Sequence, residues 1–188
     1  MKKIIICAMG SNSIIGNKNE LPWTGIEKYK FDMRHFKNTT TGNIVIMGYN
    51  TYCSLGKKGL KDRINIVISS NHYDEILKDS SIEYVFKTCD ELNNFIDTNK
   101  DSEEFKYKNL YIIGGSKLYN TFLQNDDVDE LILTIFNDNF EGDRYFPIEL
   151  LINKYDFAEK LLDEYPAGRI VKYTRNRLFD NIEFEENK

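Results

Sequence analysis

The stretch LYIIGGSKLY, residues 110–119, decides how this chain folds. It begins with an apolar run, Leu110–Ile113, typical of a strand buried on both faces, and continues as a helix after two adjacent glycines. Similar runs occur at Ile4–Met9, Asn43–Met47, Ile64–Ile68 and Ile82–Phe86, with predicted helices at Ile26–Asn38, Tyr49–Leu55, Asp90–Asp97 and Ser116–Leu123. Strands that alternate with helices predict an α/β fold around a largely parallel sheet.

The pattern changes after Asp129. Here Leu131–Phe136, about Tyr155–Leu162 and Arg169–Arg175 are predicted strands with no helix between them. An antiparallel edge on an otherwise parallel sheet explains this most simply. We therefore predict a mostly parallel sheet of eight strands with an antiparallel C-terminal edge and about four flanking helices. Asp90 is expected to cap the third of these helices.

The composition is that of a globular protein. The chain has 188 residues, 41% of them hydrophobic and 13% aromatic, and a net charge of -5. This charge, without any basic block, disfavours bulk nucleic-acid binding. Cys7, Cys53 and Cys89 have the spacing of neither a disulfide framework nor a metal site, so no metal is expected.

Length and hydropathy set the expected organisation and location. We expect one domain over residues 1–188, with about 181–188 as a frayed acidic tail. The apolar run near the N-terminus is shorter than the core of a signal peptide, and no run has the length of a membrane span. A cytoplasmic protein is therefore expected.

Two strand-to-helix corners contain glycine, IIGGS at residues 112–116 and IMGYNTY at residues 46–52. Each could bring backbone N–H groups at a helix N-terminus close to a phosphate. The alternatives are tight strand–helix packing at the first corner and ordinary capping at the second. The GxGxxG fingerprint is absent, but two such corners at one edge of a parallel sheet favour a dinucleotide across that edge.

The stretch IIGNKNELPW, residues 14–23, is long and polar and ends in Leu-Pro-Trp. It is either a lid over a site or a surface loop that Trp23 anchors to the core. The residues alone do not decide between the two.

The stretch TGIEKYKFDMRHF, residues 24–36, contains two acids. On a helix with about 100° per residue, a stripe of Tyr29, Met33 and Phe36 faces the core and Asp32 lies at its margin, with Glu27 near the opposite side. We therefore expect Glu27 to face solvent.

Asp32 is expected to face an apolar interior. Burial should raise its pKa, which suits a group that exchanges protons near neutrality. The alternative is an aspartate at the helix margin that is paired with Arg34 or Lys37.

Taken together, these motifs resemble dihydrofolate reductase along the whole chain. The matching segments, in order, are AM and IIG after the first strand, LPW, D-x-x-x-F-K-x-x-T (residues 32–40), IMG-x-x-T, R-x-N-I-V-I-S (63–69), IIGGS-x-LY and LT…EGDRYFP (133–147). Each is weak by itself, but the set in this order is specific. The resemblance implies the dihydrofolate reductase fold and the NADPH-dependent reduction of 7,8-dihydrofolate to 5,6,7,8-tetrahydrofolate. Hydride would pass from nicotinamide C4 to pterin C6, and N5 would take its proton from water that the lid admits.

The resemblance also implies roles for single residues. Asp32 would hydrogen-bond pterin N3 and the 2-amino group and polarise the ring, and Thr134 would share its hydrogen-bond network. Leu21 and Trp23 in the lid complete the catalytic set. The other substrate contacts are expected from Ile6, Cys7, Met33, Phe36, Leu55, Leu60, Ile113 and Tyr119, and from Arg63 with Lys37 on the α-carboxylate of the glutamate tail.

The NADPH site is implied in the same way. The expected contacts are Ala8, Ile15, Gly16, Gly48, Tyr49, Asn50, Thr51, Ser69, Ser70, Asn71, Lys87, Ile113, Gly114, Gly115, Ser116, Lys117, Leu118 and Tyr119. The Gly114–Gly115 peptide bond is expected to be cis in this family.

The chain departs from the family pattern at three places. The segment between Trp23 and Asp32 is longer than usual, so the helix should begin late or with a bulge. Tyr49 stands where many members have an arginine for the 2′-phosphate of NADPH, so selectivity must depend on Ser70, Asn71, Lys87 or Lys117. The third departure is GKKGLKDR, residues 56–63, which replaces a commonly proline-rich loop.

The expected partners are dihydrofolate and antifolate-type small molecules, with neither nucleic acid nor membrane. We expect a monomer, or one domain of a fusion with thymidylate synthase. Two other functions stay open: a non-catalytic folate- or dinucleotide-binding protein, and a reductase of the same fold that acts on a riboflavin-pathway pyrimidine. Asp32 and Arg63 disfavour the second because they suit a pterin that carries a glutamate.

Overall fold

The computed structural model describes residues 1–125, 127–154 and 157–176, and it is built around one large sheet. The strands are β1 (Lys3–Met9), β2 (Ile14–Gly16), β3 (Ile44–Gly48), β4 (Ile64–Ile68), β5 (Tyr84–Phe86), β6 (Leu110–Gly114), β7 (Glu130–Phe136), β8 (Arg144–Tyr145), β9 (Phe157–Tyr165) and β10 (Gly168–Arg175). Six α-helices lie in the described residues: α1 (Lys30–Thr40), α2 (Tyr49–Ser54), α3 (Tyr73–Ile76), α4 (Cys89–Asn99), α5 (Ser116–Gln124) and α6 (Ile148–Lys154).

The large sheet has the order β5-β4-β3-β6-β1-β7-β10-β9. From β5 to β7 every neighbouring pair is parallel, whereas β10 pairs antiparallel with both β7 and β9. This confirms the predicted eight-stranded, mostly parallel sheet with an antiparallel C-terminal edge.

The strands are apolar along their length because both faces of the sheet are covered. In β1, Ile5 and Met9 belong to the core on one face, with Phe122 of α5. Ile4 belongs to the core on the other face, with Phe31 of α1. The side-chain alternation of a strand therefore distributes one apolar run between two cores.

The extra residues before Asp32 form two turns and a short 3₁₀ helix. The N–H of Thr24 donates to the Leu21 carbonyl at 3.0 Å, and the N–H of Ile26 donates to the Trp23 carbonyl at 3.2 Å. The 3₁₀ helix covers Glu27–Tyr29, and α1 begins only at Lys30. The late helix start is confirmed, and the predicted start at Ile26 was wrong.

Two other details correct the sequence prediction. Thr88, not Asp90, caps α4, because its hydroxyl accepts the N–H of Glu91 at 3.2 Å. The region after Asp129 does contain a helix, α6, between β8 and β9. Two more predicted features, the start of a strand at Tyr155 and the acidic tail at 181–188, lie outside the described residues.

A small second sheet, β2 with β8, and the one-turn helix α3 were not predicted from the sequence. Elements of two to four residues have too little periodic pattern to be recognised. In the described part of the chain, no helix combines the length and the hydropathy that crossing a membrane requires.

Candidate active site

A large cleft opens where several parallel strands end. Its volume is about 1510 Å³, and residues in the C-terminal parts of β1, β3, β4 and β6, or directly after β3, β4 and β6, line it. This edge is the usual ligand site of an open α/β sheet. A pocket for one small molecule typically measures about 300–1,000 Å³, so this cleft has room for two ligands side by side.

The structure brings nearly all predicted site residues to this cleft. Those that line it are Ile6, Cys7, Ala8, Ile15, Gly16, Leu21, Trp23, Asp32, Met33, Phe36, Gly48, Tyr49, Asn50, Thr51, Leu55, Leu60, Ser69, Ser70, Asn71, Lys87, Ile113, Gly114, Gly115, Ser116, Lys117, Leu118 and Tyr119. Three predicted residues, Lys37, Arg63 and Thr134, are not part of the lining.

Asp32 is a buried acid at the wall of the cleft. It is 7% exposed, and burial raises its pKa to about 6. The Thr134 side chain of β7 opposes this rise through a hydrogen bond, so Thr134 acts from beneath the lining. No charged neighbour contributes to the shift, which disfavours the pairing with Arg34 or Lys37.

The other acid of this segment is exposed. The Glu27 side chain is 84% exposed and pairs with Lys30, as the helical geometry predicted for a solvated residue.

The predicted apolar stripe on α1 is wrong at Met33. This side chain is 53% exposed and lines the cleft, whereas Phe31 takes the core position. The reason is tertiary, because the Phe31 ring stacks on Tyr165 of β9 with centroids 4.1 Å apart. Tyr29 is buried but belongs to the 3₁₀ helix.

Trp23 lines the same cleft as Asp32. Its ring is 3% exposed and packs against Phe136 and Phe140, with centroids at 4.8 and 5.1 Å. Its Nε1 is buried and has no hydrogen-bond partner in the described part of the chain. A buried N–H without a partner is costly, so this donor is available to a ligand or a water.

The floor of the cleft is apolar and chemically inert. Tyr119 donates its hydroxyl hydrogen to the Ile6 carbonyl at 3.1 Å. Burial raises the pKa of the Cys7 thiol to about 12, so it stays protonated and acts as a small apolar wall.

Arg63 lies at the C-terminal end of α1. Its Nε donates to the Thr40 hydroxyl at 3.0 Å, and its two terminal nitrogens donate to the Lys61 and Lys37 carbonyls at 2.6 and 3.3 Å. Burial lowers its pKa. The guanidinium keeps N–H groups beyond these three bonds, because it carries five.

The lid rests on the β8 segment. The Asp143 N–H donates to the Gly16 carbonyl at 3.1 Å, and the Lys18 N–H donates to Asp143 Oδ1 at 3.2 Å. The tip is a tight turn in which Lys18 and Asn19 have positive φ. The stretch Ile14–Trp23 is therefore a structured loop that lines the cleft from above.

Two helix N-termini meet at the middle of the cleft. The N-cap residues, Gly48 of α2 and Gly115 of α5, make no side-chain cap, so the first N–H groups lack intrahelical partners. The Gly114–Gly115 peptide bond is cis, as predicted. Gly114 has φ +126°, and a Cβ on it would lie 3.1 Å from Thr51 Oγ1. Because glycines stand at both turns, the two corners present backbone N–H groups that a ligand can approach closely, which fits a pyrophosphate.

Other cleft residues were not predicted. They are Asn19, Glu20, Thr24, Ser54, Ile68, His72, Thr88, Cys89, Asn120, Thr121, Asp143, Arg144, Tyr145, Phe146 and Pro147. The last five lie in the segment EGDRYFP, and this motif, already noted in the sequence, could have identified them as site residues. The signal for His72 was its position directly after Ser69, Ser70 and Asn71, which were already assigned to the cofactor.

Comparisons with known proteins agree on one family. The family model described as dihydrofolate reductase matches residues 3–174. The dihydrofolate reductase of Ureaplasma parvum serovar 3 is 32% identical over 90% of this chain and 98% of its own length. The Bacillus subtilis dihydrofolate reductase is 34% identical over 76% of this chain and 73% of its own length.

Two further similarities concern a longer protein and a solved structure. A bifunctional dihydrofolate reductase-thymidylate synthase of Paramecium tetraurelia is 36% identical over 69% of this chain, but the match spans only 25% of that protein. Dihydrofolate reductase from Enterococcus faecalis, solved with NADP(H) and RAB-propyl, superposes with a TM-score of 0.72 at 25% identity. That superposition covers 93% of this chain and 96% of the other.

Proposed function

This chain belongs to the dihydrofolate reductase family, and we propose that its cleft carries out the NADPH-dependent reduction of 7,8-dihydrofolate to tetrahydrofolate with Asp32 as the acid that holds the pterin. The observation that carries this proposal is a nearly buried carboxyl group at the wall of a two-ligand cleft, with a pKa of about 6.

Asp32 binds the pterin in its ionised form. Because its pKa is about 6, the group is mostly a carboxylate at neutral pH. Its two oxygens can accept a pair of hydrogen bonds from pterin N3 and the 2-amino group. The negative charge makes the ring more basic, which favours protonation at N5 by water that reaches the site past the lid. The Thr134 hydroxyl holds the carboxylate from below.

The walls of the cleft fix the position of the substrate and exclude water. Trp23, whose Nε1–H is buried and has no partner in the described part of the chain, and Leu21 line the same cleft as the carboxylate. Ile6, Ile113 and Phe36 provide flat apolar contacts for the pterin ring. The protein contributes mainly proximity and orientation to the reaction.

The cradle at Gly48 and Gly114–Gly115 fits the pyrophosphate of NADPH, as its free N–H groups and the absence of a Cβ allow close approach. When bound, the reduced nicotinamide supplies the hydride. Ala8, Ile15 and Gly16 would surround the nicotinamide ring.

The folate tail leaves the cleft toward the end of α1, where Arg63 and Lys37 would meet the α-carboxylate. The cleft lining includes Phe36 and Leu60, and the Arg63 guanidinium lies 6.0 Å from the Phe36 ring. This proximity supports the assignment.

We propose a single catalytic domain over residues 1–188 in the cytoplasm. One sheet includes strands from both halves of the described chain, and the three cysteines are free thiols, which suits a reducing compartment. A monomer, or a fusion with thymidylate synthase, stays a prediction.

The test is an assay of NADPH oxidation with dihydrofolate, on wild type, Asp32→Asn and Glu27→Gln. Asp32→Asn should reduce kcat/KM at neutral pH by about 10²-fold or more, whereas Glu27→Gln should match wild type. An inert wild type, or an Asp32→Asn variant as active as wild type, would contradict the proposal.

A further inference from the structure

The extra segment between Trp23 and α1 packs into the protein through one side chain. Among residues 24–29, Tyr29 alone is buried, at 3% exposure, and the five residues before it are exposed. The extra length therefore does not add a new piece of core. It brings one aromatic ring into an existing cluster.

Tyr29 and Trp23 pack against the same two phenylalanines. The centroid of the Tyr29 ring lies 4.7 Å from that of Phe136 and 5.4 Å from that of Phe140. The corresponding distances from the Trp23 ring are 4.8 and 5.1 Å. Because Trp23 Nε1 has no hydrogen-bond partner in the described part of the chain, packing against these rings holds the indole. A displacement of Tyr29 would therefore change the surface on which Trp23 rests.

The Tyr29 ring is fixed by its hydroxyl group. This hydroxyl donates to Asp138 Oδ2 at 2.5 Å, and the Lys28 ammonium donates to the same oxygen at 2.8 Å. The two donors, with Lys28 as the first cause, hold the pKa of Asp138 below its ordinary value, so the acceptor is a carboxylate at neutral pH. A hydrogen bond to a charged acceptor is the stronger kind, whereas an exposed ion pair such as Lys28–Asp138 contributes little. The Tyr29–Asp138 hydrogen bond is therefore the contact that sets the position of the ring.

Asp138 belongs to a loop that also holds the start of the lid. It lies between Phe136, the last residue of β7, and Phe140. The Ser11 N–H donates to the Asp138 carbonyl at 3.0 Å. The Asn12 side-chain amide donates to the Phe140 carbonyl at 2.8 Å. Since Ser11 and Asn12 come just before β2, residues 136–140 support the lid stretch at both of its ends.

We propose that Tyr29 and Asp138 are positioning residues for the reduction, because their hydrogen bond fixes the aromatic packing that keeps Trp23 in the wall of the cleft during hydride transfer. Neither side chain lines the cleft, so both act through Trp23. This inference rests on the proposed function. It gives the extra segment before α1 a role in the reaction.

Tyr52 supplies a matched control. It is also 3% exposed, its hydroxyl donates to Asp79 Oδ2 at 2.8 Å, and it is not part of the cleft lining. Tyr29→Phe and Tyr52→Phe therefore each remove one hydroxyl from a buried ring that is bonded to an aspartate. Only the first should affect Trp23 and the reaction.

The first measurement is the quenching of tryptophan fluorescence by acrylamide in the ligand-free protein, where Trp23 is the single tryptophan. Tyr29→Phe should raise the quenching constant about twofold, because a less firmly packed indole is exposed to solvent more often. Tyr52→Phe should leave the quenching constant at the wild-type value.

The second measurement is the rate of hydride transfer from NADPH to dihydrofolate in a single turnover, followed by stopped flow. Tyr29→Phe should slow this step about fivefold, because a small misplacement of the groups around the reactants is costly. The KM for dihydrofolate should change less than about twofold. A role in stability alone would instead lower the unfolding midpoint of both tyrosine variants and leave the transfer rate unchanged.

Variants of Asp138 test the same contact from the other side, and they cover the case in which Tyr29→Phe does not fold. Asp138→Asn keeps an acceptor for the Tyr29 hydroxyl and should transfer hydride within about twofold of the wild-type rate, whereas Asp138→Ala should match Tyr29→Phe. Because the two substitutions break one contact, adding Tyr29→Phe to Asp138→Ala should cause no further loss.

The inference is overturned if Tyr29→Phe leaves either the quenching of Trp23 or the rate of hydride transfer at the wild-type value, or if Tyr52→Phe changes both as much. The proposed function fails separately, if wild type does not transfer hydride from NADPH to dihydrofolate. A wild type that reduces dihydrofolate, beside Tyr29→Phe and Asp138→Ala variants with the wild-type transfer rate, would reject the inference alone.

Discussion

Replacing Asp32 by asparagine should make the ligand-free protein more stable, although it removes the acid on which the reaction depends. The carboxyl group is 7% exposed, and burial raises its pKa from 3.8 to about 6. Between these two pH values the folded state binds more protons than the unfolded state, so stability falls as the pH rises through this window. Above it, the full cost of burying the charge is present.

The magnitude follows from the size of the pKa shift. One pKa unit corresponds to about 1.4 kcal/mol, so the cost at pH 7 is about 3 kcal/mol, and about half of that at pH 5. Asparagine has nearly the same shape and does not ionise. Asp32→Asn should therefore exceed wild type in unfolding free energy by up to about 3 kcal/mol at pH 7. The gain is smaller if the amide finds fewer hydrogen bonds than the carboxylate.

Urea unfolding, followed by the fluorescence of the single tryptophan Trp23, measures this difference without any ligand. Wild type, Asp32→Asn and Glu27→Gln would be compared at about pH 5 and pH 7.5. The Glu27 variant is the matched control, because its exposed carboxylate should be worth less than about 1 kcal/mol at either pH. If Asp32→Asn is no more stable than wild type at pH 7.5, or if its gain is the same at both pH values, the carboxylate is not a costly buried charge and our reasoning about its role fails.

Three further predictions concern other residues of the proposed site. Arg63→Lys keeps the charge but loses the planar fork, so steady-state kinetics should show the KM for dihydrofolate rise about tenfold, and an equal rise for a pterin without the glutamate tail would contradict this assignment. Asp143→Ala removes the acceptor that lies 3.2 Å from the Lys18 N–H. The Lys18 amide hydrogen should therefore exchange with deuterium about fivefold faster. An unchanged exchange rate would mean that this hydrogen bond does not hold the lid. Gly114→Ala places a Cβ 3.1 Å from Thr51 Oγ1 at φ +126°. Denaturation should therefore show an unfolding free energy lower by about 1–3 kcal/mol, and fluorescence titration should show a weaker affinity for NADPH. A variant equal to wild type in both measurements would contradict the assignment of the pyrophosphate to this corner.

Much of the fold was predictable because it depends on neighbours in sequence. Apolar runs of strand length, separated by helical segments, were enough to predict a largely parallel sheet and to place the antiparallel edge after Asp129, whereas the order of the strands in the sheet was not predicted. Short elements were missed. The helix α6 and the β2–β8 pair depend on packing between segments that are far apart, and they leave little pattern of their own.

The site could be predicted to a similar extent, and the errors in that prediction have a similar cause. Helical geometry favoured Asp32 over Glu27, and the motif D-x-x-x-F-K-x-x-T at residues 32–40 fixed that choice. The two glycine corners followed from local conformation. The exposure of Met33 did not, because it depends on Phe31 taking the core position against Tyr165. A helical wheel shows how residues are distributed around one helix, but it does not show which neighbouring element packs against each face.

The sequence by itself determined the alternation of strands and helices along the chain, the backbone freedom at Gly114 and the identity of the acid at the cleft. Periodicity, the lack of a Cβ and the spacing along α1 are local properties, which do not depend on how the elements pack together. The tertiary structure alone decided the environment of that acid and the contacts of the cofactor end. It buried Asp32 beside Thr134, and it stacked His72 on Tyr49 across 23 positions of the chain. Such pairings arise only when separate elements pack together, and they set the pKa values and the exposed hydrogen-bonding groups on which the chemistry depends.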